Sequence, residues 1–202
     1  MTNRLNQNQY GNETQSIVLV GVGGQGILLA SEIIARTVMA SGFDVKMNEI
    51  HGMAQRGGSV VAQIRLGREV ASPLVPRGTA KVLVSLERIE AMRFVDFLAP
   101  DGLAVVSDQA IIPVTASVGS TPYPDVDESL LRSVFPNLIY VHALYQAEKI
   151  GNAKAVNTVL LGALSTQFPF SPETWKNSIK TTVKPRFVDV NLKAFDIGRN
   201  LR

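Results

Sequence analysis

Residues 17–34 read IVLVGVGGQGILLASEII. The first four form a short, apolar, β-branched run of the kind that lies buried on both faces of a sheet. Gly21, Val22, Gly23, Gly24, Gln25 and Gly26 follow in the pattern G-x-G-x-x-G. Glycines at that spacing turn the chain tightly and let a phosphate approach the backbone N–H groups. Beyond the turn, Ile27, Leu28, Ile34, Ala35 and Val38 recur at helical spacing until Gly42 ends the helix. A strand delivered through a glycine turn into a helix is the opening unit of an open α/β sheet. Ligands of such sheets gather at the carboxyl ends of the strands.

The rest of the chain repeats the alternation. Residues 43–49 read as a second strand, and residues 51–58 are too glycine-rich for regular structure. In residues 59–67, Val60, Ala62, Ile64 and Leu66 fall on one face and Ser59, Gln63 and Arg65 on the other. That predicts a half-buried strand, antiparallel to a neighbour or at the sheet edge. Residues 81–85, 102–108 and 137–143 are further strands, and residues 86–98 a helix stopped by Pro100. Pro113, Pro122 and Pro124 mark an extended arm, with a short helix from about Asp125; the remainder is mostly helical. The expected fold is α/β: a single-domain, Rossmann-like open sheet, mostly parallel with one antiparallel strand, and helices on both faces. The domain is expected over residues 17–202, behind a polar, Asn/Gln-rich tail at residues 1–16 that frays.

Composition narrows the chemistry. With no cysteine, the chain forms no disulfide framework and holds no iron–sulfur cluster through its own thiolates. Its two histidines, His51 and His142, stand far apart, so a metal site is not expected. The net charge of +3 collects late, where Lys176, Lys180, Lys184, Arg186, Lys193, Arg199 and Arg202 face Asp189 and Asp196. A solvated helical face accounts for that most simply, with an anionic ligand or an acidic partner surface as the alternative; nucleic acid is not expected, because no basic stripe is interleaved with aromatics. No apolar run reaches the roughly 18 residues that would suggest a membrane span. The chain is expected to be soluble and cytoplasmic.

The glycine turn alone admits several ligands. An NAD site needs an acidic residue about 20 positions further on, and Glu49 stands at the end of the second strand. A free-standing NAD(P)-dependent oxidoreductase and a nucleotide-sensing module are therefore both permitted. Against them, Glu49 runs into a second glycine-bearing loop, His51-Gly52-Met53-Ala54-Gln55-Arg56-Gly57-Gly58, which a plain dinucleotide site does not need. Loops meeting at the carboxyl edge would form one surface offering backbone N–H groups, Gln25, Gln55 and Arg56.

Together, VGVGGQGILLAS and EIHGMAQRGGSV resemble the gamma subunit or gamma domain of 2-oxoacid:ferredoxin oxidoreductases. Within that group the pattern is most similar to the beta-subunit type of indolepyruvate:ferredoxin oxidoreductases. SLERIEAMRF, NTVLLGAL and NLKAFDIGR extend the resemblance from about Ile17 to Arg199. It implies a subunit, inactive alone, of an enzyme that converts an aryl or other 2-oxoacid to an acyl-CoA and carbon dioxide and passes two electrons to ferredoxin. It also implies a large partner carrying thiamine diphosphate and the iron–sulfur clusters, which agrees with the missing cysteines. A homodimer is left open. The resemblance assigns cofactor-side roles, beside thiamine diphosphate and coenzyme A, to Gly23, Gly24, Gln25, Gly26, His51, Gly52, Met53, Gln55, Arg56, Gly57 and Gly58. No residue is assigned a proton transfer, since the thiamine ylid breaks the bond.

Several residues also carry plainer readings. Gly57 and Gly58 could serve only as turn positions, His51 as a hydrogen-bonded loop residue, and Met53 as packing. Asn157 and Gly162 are expected on a helix packed close to the sheet, and His142 as a satisfied core residue. Trp175 fits either the core or a subunit contact.

Overall fold

The computed structural model describes residues 13–52, 57–112 and 124–201. The run at residues 17–20 lies inside a longer strand, β1 (Gln15–Val22), buried at every position. The tail expected at residues 1–16 falls mostly outside the described residues; Gln15 and Ser16 belong to β1. Further strands are β2 (Asp44–His51), β3 (Ser59–Gly67), β4 (Ala80–Ser85), β5 (Leu98–Ser107) and β6 (Leu138–Val141). They form one sheet in the order β2-β3-β1-β4-β5-β6. β1, β4, β5 and β6 run parallel, while β3 is antiparallel to both β1 and β2. The sheet is thus mostly parallel with one antiparallel strand, as the sequence predicts.

β3 departs from its expected half-buried character. Val60, Ala62, Ile64 and Leu66 do face one apolar cluster, yet Val61 and Gln63 on the opposite face are only 6% and 5% exposed. The chain following β3 folds back over that face. Gln63 Oε1 accepts the Val75 N–H at 2.8 Å, and Arg65 donates to the Ser72 carbonyl at 3.2 Å. The polar residues of the alternation therefore meet a covering loop rather than water. A buried polar side chain is tolerated where it is hydrogen-bonded.

The helices are α1 (Ile27–Ala40), α2 (Arg88–Arg93), α3 (Glu128–Val134), α4 (Ala143–Lys149), α5 (Val156–Ser165), α6 (Pro172–Thr182) and α7 (Val188–Asn200). α1 and α4 to α7 build the larger apolar cluster on one face of the sheet, and α2 and α3 the smaller on the other. The helix expected at residues 86–98 is shorter. Glu87 caps α2 by accepting the Glu90 N–H, the helix stops at Arg93, and a 3-10 turn leads into β5. Pro100 falls at the start of β5, where the pairing with β4 shifts register and needs no proline donor.

α5 and α7 cross with their backbones in contact. A Cβ on Gly162 would overlap the Phe195 carbonyl, and one on Gly198 the Val159 carbonyl. Beside them Trp175 is fully buried, its ring 6.1 Å from Phe195 and 6.2 Å from Phe168, so it belongs to the core. Of the late cations, Lys176 pairs with Asp196 at 2.8 Å and Arg199 donates to Ser165 Oγ at 2.7 Å, which links neighbouring helices. His142 differs from expectation: β6 ends at Val141, so His142 lies past the sheet edge and is exposed, its Nδ1 3.1 Å from Asp108 Oδ2. Among the described residues no helix is long and apolar enough to cross a membrane.

Candidate functional site

The carboxyl end of β1 delivers the glycine turn to the exposed edge of the sheet. Gly24 and Gly26 adopt φ of 105° and 80°, the left-handed region that only glycine enters at little cost. Gly26 is also the N-cap of α1. It offers no capping side chain, and the first turn of α1 carries no acid, so no side chain of this helix claims its leading N–H groups. Such an end favours negative charge.

Gln25 turns inward rather than toward a ligand. Its Oε1 accepts the Val22 N–H at 2.7 Å, and its Nε2 donates to the Leu86 carbonyl at 2.8 Å and to Gln109 Oε1 at 2.7 Å. The amide thereby braces the ends of β1, β4 and β5. Gly21 leaves room for it: a Cβ there would stand 2.7 Å from Gln25 Oε1.

The second glycine loop meets the first. Gly23 N–H donates to the Gly58 carbonyl at 2.8 Å and Gly57 N–H to the Gly23 carbonyl at 3.4 Å, so the two loops share one backbone surface. The cause is the pairing of β3 with β1, which sets Ser59 opposite Val22. Ser59 Oγ donates to the buried Glu90 carboxylate, anchoring the loop to α2. His51 closes β2 and Gly52 follows it; both are exposed, as is Gly57, whose φ is 76°. Met53, Gln55 and Arg56 lie outside the described residues.

Two grooves flank the turn. One of about 530 Å³, on the α1 side, is lined mainly by Ile27, Leu28, Leu29 and Val60, with His51 at its rim. The other, about 320 Å³, is bounded by Gln25, Gly57, Gln109, Ile111 and Lys154. Gln109, Lys154, Glu90 and Asn157 are contributors that the motif alone did not identify as site residues. They come from elements distant in sequence; Glu90 lies within SLERIEAMRF and Asn157 within NTVLLGAL, whereas Gln109 and Lys154 fall outside the stretches that carry the resemblance. Farther along the edge, burial raises the Tyr140 hydroxyl above its ordinary value, with Asp108 adding to the effect and Arg88 opposing it.

Glu49 does not serve the turn. It pairs with Ala62, which pairs with Leu19, three residues before Val22. At roughly 3.3 Å per residue it lies about 10 Å short of the turn and two strand spacings to the side. Ser31 Oγ donates to its carboxylate at 3.1 Å. The ribose-holding partner of a dinucleotide site is therefore missing from its place.

Residues 16–201 match the pyruvate ferredoxin/flavodoxin oxidoreductase family. A relative from Archaeoglobus fulgidus, indolepyruvate oxidoreductase subunit IorB, is 44% identical over 189 residues, covering 92% of this chain and 94% of that one. The gamma subunit of a keto/oxoacid ferredoxin oxidoreductase from Geobacter sulfurreducens shares the fold, with a TM-score of 0.64 at 20% identity, over 91% of this chain and 95% of that one. A 2-oxoglutarate:ferredoxin oxidoreductase from Magnetococcus marinus, solved with 2-oxoglutarate, coenzyme A and succinyl-CoA, shares it too. Its TM-score is 0.69 at 21% identity, over 93% of this chain and 31% of that one. The chain belongs to the pyruvate ferredoxin/flavodoxin oxidoreductase family, as a subunit of a 2-oxoacid:ferredoxin oxidoreductase.

Proposed function

We propose that the holoenzyme oxidises indolepyruvate or a related aryl 2-oxoacid, and that this subunit's paired glycine loops line the approach of coenzyme A. The reaction consumes the 2-oxoacid, coenzyme A and two oxidised ferredoxins. It yields acyl-CoA, carbon dioxide, a proton and two reduced ferredoxins. The substrate follows the name of the relative at 44% identity. The coenzyme A assignment is supported by a family fold neighbour solved with that ligand.

One observation carries the assignment within this chain. The Gly23–Gly58 pairing joins two loops beside an uncapped helix end, with an apolar groove on one side and Lys154 on the other. Coenzyme A matches such a surface, since it joins anionic phosphates to a largely uncharged pantetheine arm. Helix N–H groups and lysine suit the first, and the Leu28 side of the turn the second. Arg56, next to Gly57 in sequence, supplies a further cation for an anionic group of coenzyme A or the 2-oxoacid. Thiolate-held clusters require cysteines, which this chain lacks, so in this reading the clusters and the electron path belong to a large partner, to which the proposal also assigns thiamine diphosphate; the complex is proposed to be cytoplasmic.

Anaerobic affinity purification of this chain from its native cells tests the reading. Recovery of a large, cysteine-rich, thiamine-binding partner, and ferredoxin reduction that needs both indolepyruvate and coenzyme A, is the expected result. A complex inactive with aryl 2-oxoacids but active with another 2-oxoacid refutes the substrate. Arg56→Ala should raise the apparent KM for coenzyme A or the 2-oxoacid, and unchanged kinetics would remove the loop from the site.

A further inference from the structure

The glycine turn is held from the far end of the chain. Asn157, in the first turn of α5 and 2% exposed, donates its Nδ2–H to the Gly26 carbonyl at 3.1 Å, across 131 residues. The same carbonyl accepts the Ala30 N–H at 3.0 Å, so two donors fix its direction. A peptide unit is planar and trans. Fixing the Gly26 carbonyl therefore also fixes the Ile27 N–H, which points the opposite way, out of the helix end. No side chain fits between turn and clamp: a Cβ on Gly26 would stand 2.6 Å from Asn157 Nδ2.

The clamp is itself braced. Asn157 Oδ1 accepts the Thr158 N–H at 2.8 Å; because an N–H only donates and a carbonyl only accepts, the amide has one consistent orientation. Thr158 Oγ1 donates to Asn191 Oδ1 at 2.6 Å, and Asn191 Nδ2 donates to the Phe187 carbonyl at 2.8 Å. Thr158 is fully buried and Asn191 is 7% exposed. All ten residues of α5 are buried in a layer that is otherwise largely apolar. Buried amides in such surroundings are costly unless each bond is made, and a completed network specifies one geometry.

We infer that Asn157 is the positioning residue of the glycine turn. It does not touch the ligand, and it aims the leading N–H groups of α1 by holding the Gly26 carbonyl, with Thr158 and Asn191 as its supports. The inference rests on the reading that these N–H groups face coenzyme A.

The test uses the reconstituted holoenzyme with Asn157→Asp, which keeps the acceptor for Thr158 and removes the donor for Gly26. Thr158→Val leaves the clamp and cuts its brace, and Arg56→Ala probes the site directly. Asn157→Asp is expected to raise the KM for coenzyme A roughly three- to tenfold, the range of one hydrogen bond, with kcat held within about twofold. Thr158→Val should give a smaller rise in the same direction, and it decides the matter if Asn157→Asp fails to assemble. A merely structural role would lower kcat with the amount of intact enzyme and leave KM alone, and that result overturns the inference. If Arg56→Ala raises a KM while both clamp variants leave it unchanged, the site reading stands and the positioning role falls. If all three variants leave every KM unchanged, the site reading fails and takes the positioning role with it.

Discussion

Gln25 Nε2 stands 2.7 Å from Gln109 Oε1, and this bond ties the turn after β1 to the segment that leaves β5. The two residues are 84 positions apart. With the bonds to Val22 and Leu86, the Gln25 amide meets three partners at the ends of three parallel strands. The polar side chain that sets this turn apart from an ordinary dinucleotide turn is an internal strut.

Replacing Gln25 with leucine should therefore act on folding first. The Val22 N–H and the Leu86 carbonyl would each lose a partner, at a cost of about 2–3 kcal/mol. Urea denaturation of the isolated chain measures this. A loss below about 0.5 kcal/mol, the level of an ordinary surface change, would contradict the strut.

The crossing of α5 and α7 gives a second expectation. Gly162→Ala and Gly198→Ala each place a methyl against the backbone of the other helix, which a rotamer change cannot relieve. Each should destabilise by about 3 kcal/mol, the upper part of the overpacking range, despite the better helix propensity of alanine. Thermal melts showing either variant as stable as the parent would mean the helices separate more easily than their contact implies.

Acid stability should depend on Asp44. Its carboxylate accepts the Val70 N–H at 2.9 Å, and that bond, with the nearby Lys46, holds its pKa below the ordinary 3.8. Its contribution is present above the unfolded-state pKa and is lost as pH falls through the lower folded value. Asp44→Asn should flatten the decline in urea midpoint below about pH 4 and leave a smaller difference between variant and parent there than near pH 7. Asp101, held low by its bond to Lys81, should behave in the same sense. Parallel midpoint curves for Asp44→Asn and parent would refute the assignment.

Dinucleotides should not bind. With Glu49 offset from the turn and bonded by Ser31, calorimetric titration of the isolated chain with NAD+, NADH or NADP+ is expected to show nothing tighter than about millimolar. Micromolar affinity would reopen the oxidoreductase alternative.

Much of this was legible in the residues. The β-branched run, the glycine turn and the spacing of Ile27, Ile34 and Val38 specify β1 and α1, because burial on both sheet faces and on one helix stripe leaves a local imprint. The paired glycine loops were legible as one surface. What the pattern missed depends on contacts between distant segments. Gln63 looks solvent-facing until the chain around Val75 covers it, and Gln25 looks available until Leu86 and Gln109 arrive. Glu49 has the right spacing for a ribose partner, but spacing along the chain does not reveal that β3 slips between β1 and β2. His142 reads as the end of a buried strand but lies one step past it, since a strand's last buried residue and the first one past its edge look alike in sequence.

The bond between Asn157 and Gly26 also orders events during synthesis. A ribosome adding 5–20 residues per second makes the turn on the order of ten seconds before it makes the amide that clamps it. The strands beside β1 and most of the site's chemistry can be in place while the Gly26 peptide is still unclamped. A chain that stalls or is cut before α5 would present a complete glycine motif that has not acquired its final aim.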